Sequence, residues 1–283
     1  MPLHDKTLSG AQLAPGVSGM RSHGNKRRWL GALSLAALAA AAVCEGGRDT
    51  RTAWLDIESR IQYGYFTEDA RALRNLAELL EPGESPDRLK SYYAGLLAYR
   101  LTLLATQSSS ASEGDRGQAR ATVERCVTSL DHALDAQQDF ADALALQSAC
   151  LEILAELRPW RAPFASPRSR SSALIRKARQ LAPKNPRVLL LDGIGDYERA
   201  RAAGGDQERA LSKFKKAVAA FEAERQDMDR VPGWGAAEAY VFLARSYLDH
   251  GDEVAARDAL ERSLLLAPEF LEARRLLKRI TAG

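Results

Sequence analysis

The chain has 283 residues, 46% hydrophobic and only 7% aromatic, rich in Ala and Leu and without long β-branched runs; it is long enough to bury a sizeable core, and a helical one. Its net charge of +3 is gathered in residues 1–44, where Lys6, Arg21, Lys26, Arg27 and Arg28 stand against Asp5. The remainder is close to neutral, which excludes the dense basic face that nucleic-acid binding needs.

Lys26, Arg27 and Arg28 lead into WLGALSLAALAAAAV, residues 29–43. A charged segment, a short apolar run and small residues at its end read as a secretory signal, so residues 1–43 are expected to be a targeting segment. The run falls short of the roughly 20 residues of a membrane span. A start at Met20 would give a conventional charged segment and make residues 1–19 an over-called start. Ala40, Ala41 and Ala42 fit a cleavage before Val43. Cys44 offers the alternative of lipid anchoring, although Val43 stands where a small residue is expected. Residues 44–50 are a polar linker.

A helical body is expected over residues 51–283. Trp54, Ile57 and Ile61 share a helical face, Ala70 and Ala77 a second, and Pro82 closes the unit. Glu58 sits where a small residue would pack best. A second pair begins at Asp87, with Ala94, Gly95 and Ala98 as its small face. The Ser/Gly-rich stretch 106–118 is expected to be a flexible loop, followed by a helix carrying Cys126, Leu130 and Ala133.

The third pair opens at Phe140, with Ala143, Leu146 and Cys150 on one side. An insertion over residues 158–171 holds Pro159, Pro163 and Pro167, so the helix is expected to resume at Ile175 and Ala178. Asn185-Pro186 reads as a helix cap and first turn, opening a fourth pair with Leu190 and Tyr197. Gly204-Gly205-Asp206 breaks it, and Ala210, Phe214 and Ala217 follow. Residues 226–234 are a linker.

Residues 237–270 carry the pattern most clearly. Tyr240, Leu243, Ala244 and Tyr247 form one face, Gly251-Asp252 a turn, Ala256, Leu260 and Ser263 a second face, and Pro268 a stop. Residues 271–281 then place Ala273, Leu276, Leu277 and Ile280 on one side of a last helix, against Arg274, Arg275, Lys278 and Arg279, as a solubilising cap requires.

The spacing of residues 237–270 resembles the tetratricopeptide repeat (TPR), a helix–turn–helix unit of 34 residues. The likeness extends over most of the body and is weakest in the second and third pairs. Asn185-Pro186-Arg187, Gly204-Gly205-Asp206 with Ala210-Leu211, and Trp234-Gly235 with Ala237 also resemble a group of exported bacterial TPR proteins with no assigned activity. The resemblance implies an all-α, right-handed α-solenoid of about five helix pairs plus a capping helix, about eleven helices in all, with a concave inner surface. It also implies a protein- or peptide-binding scaffold.

In such a scaffold the groove is lined from the first helix of each pair. Here that gives Leu55, Ser59, Gln62 and Tyr63; Leu144, Ser148, Leu151 and Glu152; Val188, Leu191, Glu198 and Arg199; and Val241, Arg245, Leu248 and Asp249. This mixed lining suits an amphipathic peptide or helix. Trp160 and Phe164 are unusual in a loop; they either cover apolar surface or anchor a partner.

Cys126 and Cys150 sit where small core residues belong, and buried free thiols are expected there, with a disulfide as the alternative after export. There is no metal-ligand spacing, and His132 and His250 have no evident partner, so neither cofactor nor metal is expected. No nucleophile–base pair or carboxylate pair stands out, which argues against an enzyme. The expected function is a partner-binding scaffold of the bacterial envelope, with possible membrane association through the N-terminus. The alternative is an accessory subunit of a transport system, holding a partner or small ligand within the superhelix. A third reading, a structural component, would fill the inner face with the chain itself.

Overall fold

A computed structural model describes residues 50–80, 87–107, 112–157, 166–204, 206–225 and 230–282. These belong to the compact unit Asp49–Gly283. The expected targeting segment, Cys44, Gly205, and the loop residues Trp160 and Phe164 lie outside the described residues.

The described residues form helices and no strands. Residues 50–66 are α1, followed by α2 (Ala70–Leu79), α3 (Arg88–Thr106), α4 (Glu113–Ala136), α5 (Ala141–Leu157), α6 (Pro167–Leu181), α7 (Pro186–Ala203), α8 (Gln207–Glu224), α9 (Ala236–Asp249), α10 (Glu253–Leu266) and α11 (Leu271–Thr281). From α2 onward each helix packs on the next, and α7 also packs on both α5 and α9, the first helices of the neighbouring pairs. This is the expected all-α solenoid of helix pairs with a final capping helix. Among the described residues no helix is long and apolar enough to cross a membrane.

Local chemistry sets the boundaries. Asn185 accepts hydrogen bonds from the Arg187 and Val188 amides, and Pro186 opens α7 at a position where an amide would find no partner. Gly204 ends α7 in the left-handed region, at φ 69°, where a side chain would be strained. Asp206 and Asp252 cap α8 and α10.

Two expected loops are shorter than the sequence implied. Residues 113–118 are helical, because Ser112 and Asp115 form a reciprocal capping box that offsets Gly114 and Gly117. Likewise α6 starts at Pro167 and not near Ile175: Ser166 caps it, and proline at the first helical position lacks only an amide that would be unpaired anyway.

Small residues let the pairs close up. A Cβ on Gly95 would lie 2.6 Å from Leu130 Cγ, and one on Gly193 would lie 2.8 Å from Phe214 Cε1. Leu130 and Phe214 are fully buried, so α3 meets α4 and α7 meets α8 at distances that only glycine permits. Cys126 of α4 and Cys150 of α5 are joined by a disulfide, with Cα atoms 6.4 Å apart. This corrects the expectation of free thiols: helices adjacent in the stack bring the two small core positions within bonding reach.

The stack also turns back on itself. Phe66 of α1 packs against Phe270, the residue before α11, with ring centroids 4.3 Å apart. Arg275 of α11 pairs with Glu68. The first helix pair therefore touches the C-terminal end of the array.

Candidate functional site

The closure is built from buried polar groups, one of which, Glu58, departs from the sequence pattern. Glu58, in place of the small residue expected on α1, is buried and accepts from Tyr93 Oη at 2.7 Å and from the Gly233 amide at 3.0 Å. Burial pushes its carboxyl above the ordinary range, and the hydrogen bonds from Tyr93 and Gly233 pull back without cancelling that. Trp234, at the end of the expected linker, is buried and donates to Tyr92 Oη at 2.8 Å. Arg100 of α3 pairs with Glu238 of α9 and also donates to Gln62 of α1 at 3.0 Å. Its guanidinium lies 4.2 Å from the Tyr65 ring centroid, 4.8 Å from that of Trp234 and 5.7 Å from that of Tyr99, so three aromatic rings share one cation.

Beside this seal is a cavity of about 580 Å³. Its walls come from α1, α3, α5, α7 and α9, the first helices of the pairs, together with α6 and α11. Leu103, Ile153, Leu157, Ile194 and Phe242 supply apolar surface, and Glu152, Glu156, Glu198, Glu272, Arg168, Arg199 and Arg245 supply charge.

Most of the charges are engaged. Arg199 bonds Asp196 at 2.7 Å and Glu152 at 3.3 Å; Arg245 bonds Glu272; Ser171 Oγ donates to Glu152 at 2.8 Å. Glu156 and Glu198 form no ion pair among the described residues. Burial first, then the charge of Glu198, raises the Glu156 carboxyl; Arg168 opposes this and Glu152 adds to it.

Of the residues singled out in the sequence, Glu152, Glu198, Arg199 and Arg245 meet in this cavity, with Ser148 and Leu191. Leu144, Val188 and Val241 are buried in the core instead, packed against neighbouring helices. Leu55 is half-buried on α1, Tyr63 is exposed, and Asp249 is exposed at the end of α9 beside Tyr197. None of these six lines the cavity.

The sequence reading missed Tyr65, Tyr99, Leu103, Glu156 and Phe242. Glu156 follows Glu152 by one helical turn on α5, a spacing visible in the sequence. Tyr65 and Tyr99 read as core aromatics, and only the closure of the stack places them at a cavity wall.

No family model matches the sequence, and no curated protein does. Among solved structures, the chain resembles a thermophilic TPR protein from Thermus thermophilus, at 15% identity and a TM-score of 0.51, covering 82% of this chain and all of that one. An assembly chaperone of RpL4 is more distant, with 14% identity, a TM-score of 0.36, and coverage of 82% of this chain and 95% of the other. The repeat spacing, the consecutive helix pairs and the Thermus neighbour together identify the fold as a TPR-type α-solenoid.

Proposed function

We propose that this chain is a non-catalytic TPR scaffold of the bacterial cell envelope that holds a segment of a partner protein in its concave cavity. The observation that carries the reading is the cavity itself. Helices from every pair contribute to it, and its volume falls within the roughly 300–1,000 Å³ typical of binding pockets. Its apolar floor and few convergent charges give affinity and orientation respectively. Most of the carboxylates and guanidiniums are bound to one another, which suits recognition better than proton transfer.

Two features support an envelope location. Residues 26–43 have the pattern of an export signal. The Cys126–Cys150 bond favours an oxidising compartment, since such bonds are rare in reducing ones. Membrane association would then rest on the N-terminal segment.

The apolar part of the cavity favours one second reading: an accessory subunit of a transport system, with a small ligand in the same place. Cross-linked capture from fractionated cells, comparing the natural chain with Ile194→Arg, separates these. Loss of a specific protein from the variant supports the scaffold. Retention of every captured protein, with a small molecule lost from the purified variant, supports the accessory role. Recovery of the chain in the cytosol with both thiols free would overturn the envelope assignment.

A further inference from the structure

The cavity's unpaired charge and unused hydrogen-bond donors narrow what it accepts. Arg199, Arg245 and their carboxylate partners neutralise one another, and Asp192 is held by Lys213 at 2.6 Å. Glu156 and Glu198 are left facing the same space with no ion pair among the described residues. Arg168 is the one lining cation with no ion pair among the described residues and offsets one of these carboxylates, so the unpaired charge of the unbound cavity is net negative by one.

A second observation is independent of those acids. Tyr65 and Tyr99 line the cavity and are more than nine-tenths buried, yet neither hydroxyl has a hydrogen-bond partner among the described residues. Burial, chiefly, pushes Tyr99 up to about 12 and Tyr65 higher, so both remain protonated donors. Neither hydroxyl oxygen is among the buried polar atoms that lack a partner, so each stays accessible in the cavity while its ring is enclosed, and is free to donate to an acceptor supplied from outside.

We propose that the cavity takes a peptide segment in which a lysine or arginine side chain is flanked by aliphatic residues. Glu156 and Glu198 receive the cation, Leu103, Ile153 and Ile194 pack the aliphatic groups, and the tyrosine hydroxyls donate to backbone carbonyls of the segment. This inference rests on the scaffold reading and specifies its partner. The cation relieves the repulsion between Glu156 and Glu198, so a basic segment gains affinity that an acidic one cannot have.

The test uses the full chain and three blocked tripeptides: acetyl-Leu-Lys-Leu-amide and its counterparts with glutamate or norleucine at the centre, titrated by calorimetry at low and moderate salt. The lysine peptide is expected to bind about tenfold more tightly than the glutamate one, with the difference shrinking as salt rises. The double variant Glu156→Gln/Glu198→Gln, which removes two charges on exposed residues and no ion pair, is expected to lose that preference while keeping its melting temperature. Tyr65→Phe/Tyr99→Phe is expected to weaken lysine and norleucine peptides alike.

Equal binding of the lysine and glutamate peptides, or an undiminished preference in the Gln variant, overturns the proposal and leaves the scaffold reading standing. Failure of all three peptides also overturns it. If, in addition, Ile194→Arg retains every partner protein, the scaffold reading fails with it.

Discussion

Arg100 and Glu238, separated by 138 positions in the chain, form an ion pair in which both side chains are less than 5% exposed. The pair joins the second helix pair to the fifth, and with Gln62 it ties in the first. It is imperfectly satisfied: Arg100 Nε and Glu238 Oε2 have no hydrogen-bond partner among the described residues. Removing one charge strands the other in a site with little water, so Glu238→Ala is expected to cost about 3–5 kcal/mol. Replacing both, as Arg100→Met/Glu238→Leu, is expected to cost far less than the sum of the single changes. Urea titrations of the two singles and the double close the cycle; additive losses would show that the pair does not act as a unit.

The buried Glu58 carboxyl makes stability depend on pH in a definite direction. Its pKa in the folded chain is raised above the ordinary 4.5, mainly by burial. The folded state therefore holds the proton more tightly than the unfolded one. The resulting stabilisation is complete below the unfolded value and is lost as pH rises through the raised folded value. Glu58→Gln stays neutral throughout, so it is expected to gain on the natural chain as pH is raised from about 4.5 towards neutrality. Melting curves that run parallel for the two proteins over that range would refute the assignment. Glu156 and Glu272 are also raised, so the variant retains part of the slope.

The helix pairs were legible in the sequence because each repeats a local rule. Asn185-Pro186 announces a start, Gly204 a stop, and small residues at fixed spacing the packed faces. What was not legible depends on how the pairs stack. Glu58 looked like a departure from the pattern, and Trp234 like the end of a linker. In the folded chain Glu58 receives the Gly233 amide and Tyr93, and Trp234 meets Tyr92. Several groove positions named from the repeat pattern went elsewhere for the same reason. Leu144 and Val188 turn to neighbouring helices, whereas Glu152 and Arg199 reach the cavity. Periodicity identifies a helical face, but curvature decides whether that face meets solvent, a cavity or another helix.

The Cys126–Cys150 bond closes a loop between positions 24 apart in the chain. A loop of that size is worth about 3 kcal/mol in the chain-entropy account. Cys126→Ala is expected to lower the melting temperature by the same amount as Cys126→Ala/Cys150→Ala, because either change removes the bond. Reductant is expected to destabilise the natural chain and leave both variants unmoved. A natural chain insensitive to reductant after unfolding and refolding would mean the bond contributes little.

Gly95 tests the packing between α3 and α4. Its missing Cβ would meet Leu130 Cγ at 2.6 Å and both its methyls within 3.3 Å, and Leu130 is fully buried. Gly95→Ala should therefore cost about 1–3 kcal/mol through overpacking, although alanine is the better helix former. Combining it with Leu130→Ala is expected to recover part of the loss relative to Leu130→Ala alone. A stabilising Gly95→Ala would show that the two helices can separate without penalty.

Arg187 is the remaining keystone, and its fork geometry makes the sharpest demand on side-chain chemistry. It is wholly buried at the start of α7, donating from Nε to Asp142 at 2.6 Å and from Nη1 and Nη2 to Glu224 at 2.7 and 2.8 Å. Asn185, the cap of the same helix, donates to the other oxygen of Asp142 at 2.9 Å. One planar group thus links α5, α7 and α8, the first helix of one pair and both helices of the next. Lysine carries the same charge but only a point-like ammonium, which cannot reproduce the three directed bonds of the planar fork. Arg187→Lys is accordingly expected to lose about 2–3 kcal/mol, and Arg187→Leu more, since Asp142 then loses its cation and Glu224 one of its two. Asp142 retains Asn185 and Glu224 retains Arg230, at 2.8 Å, so neither variant is expected to prevent folding. Equal stability of the Arg and Lys chains would show that charge alone joins these helices; a Lys chain closer to the Leu chain would show that the fork does.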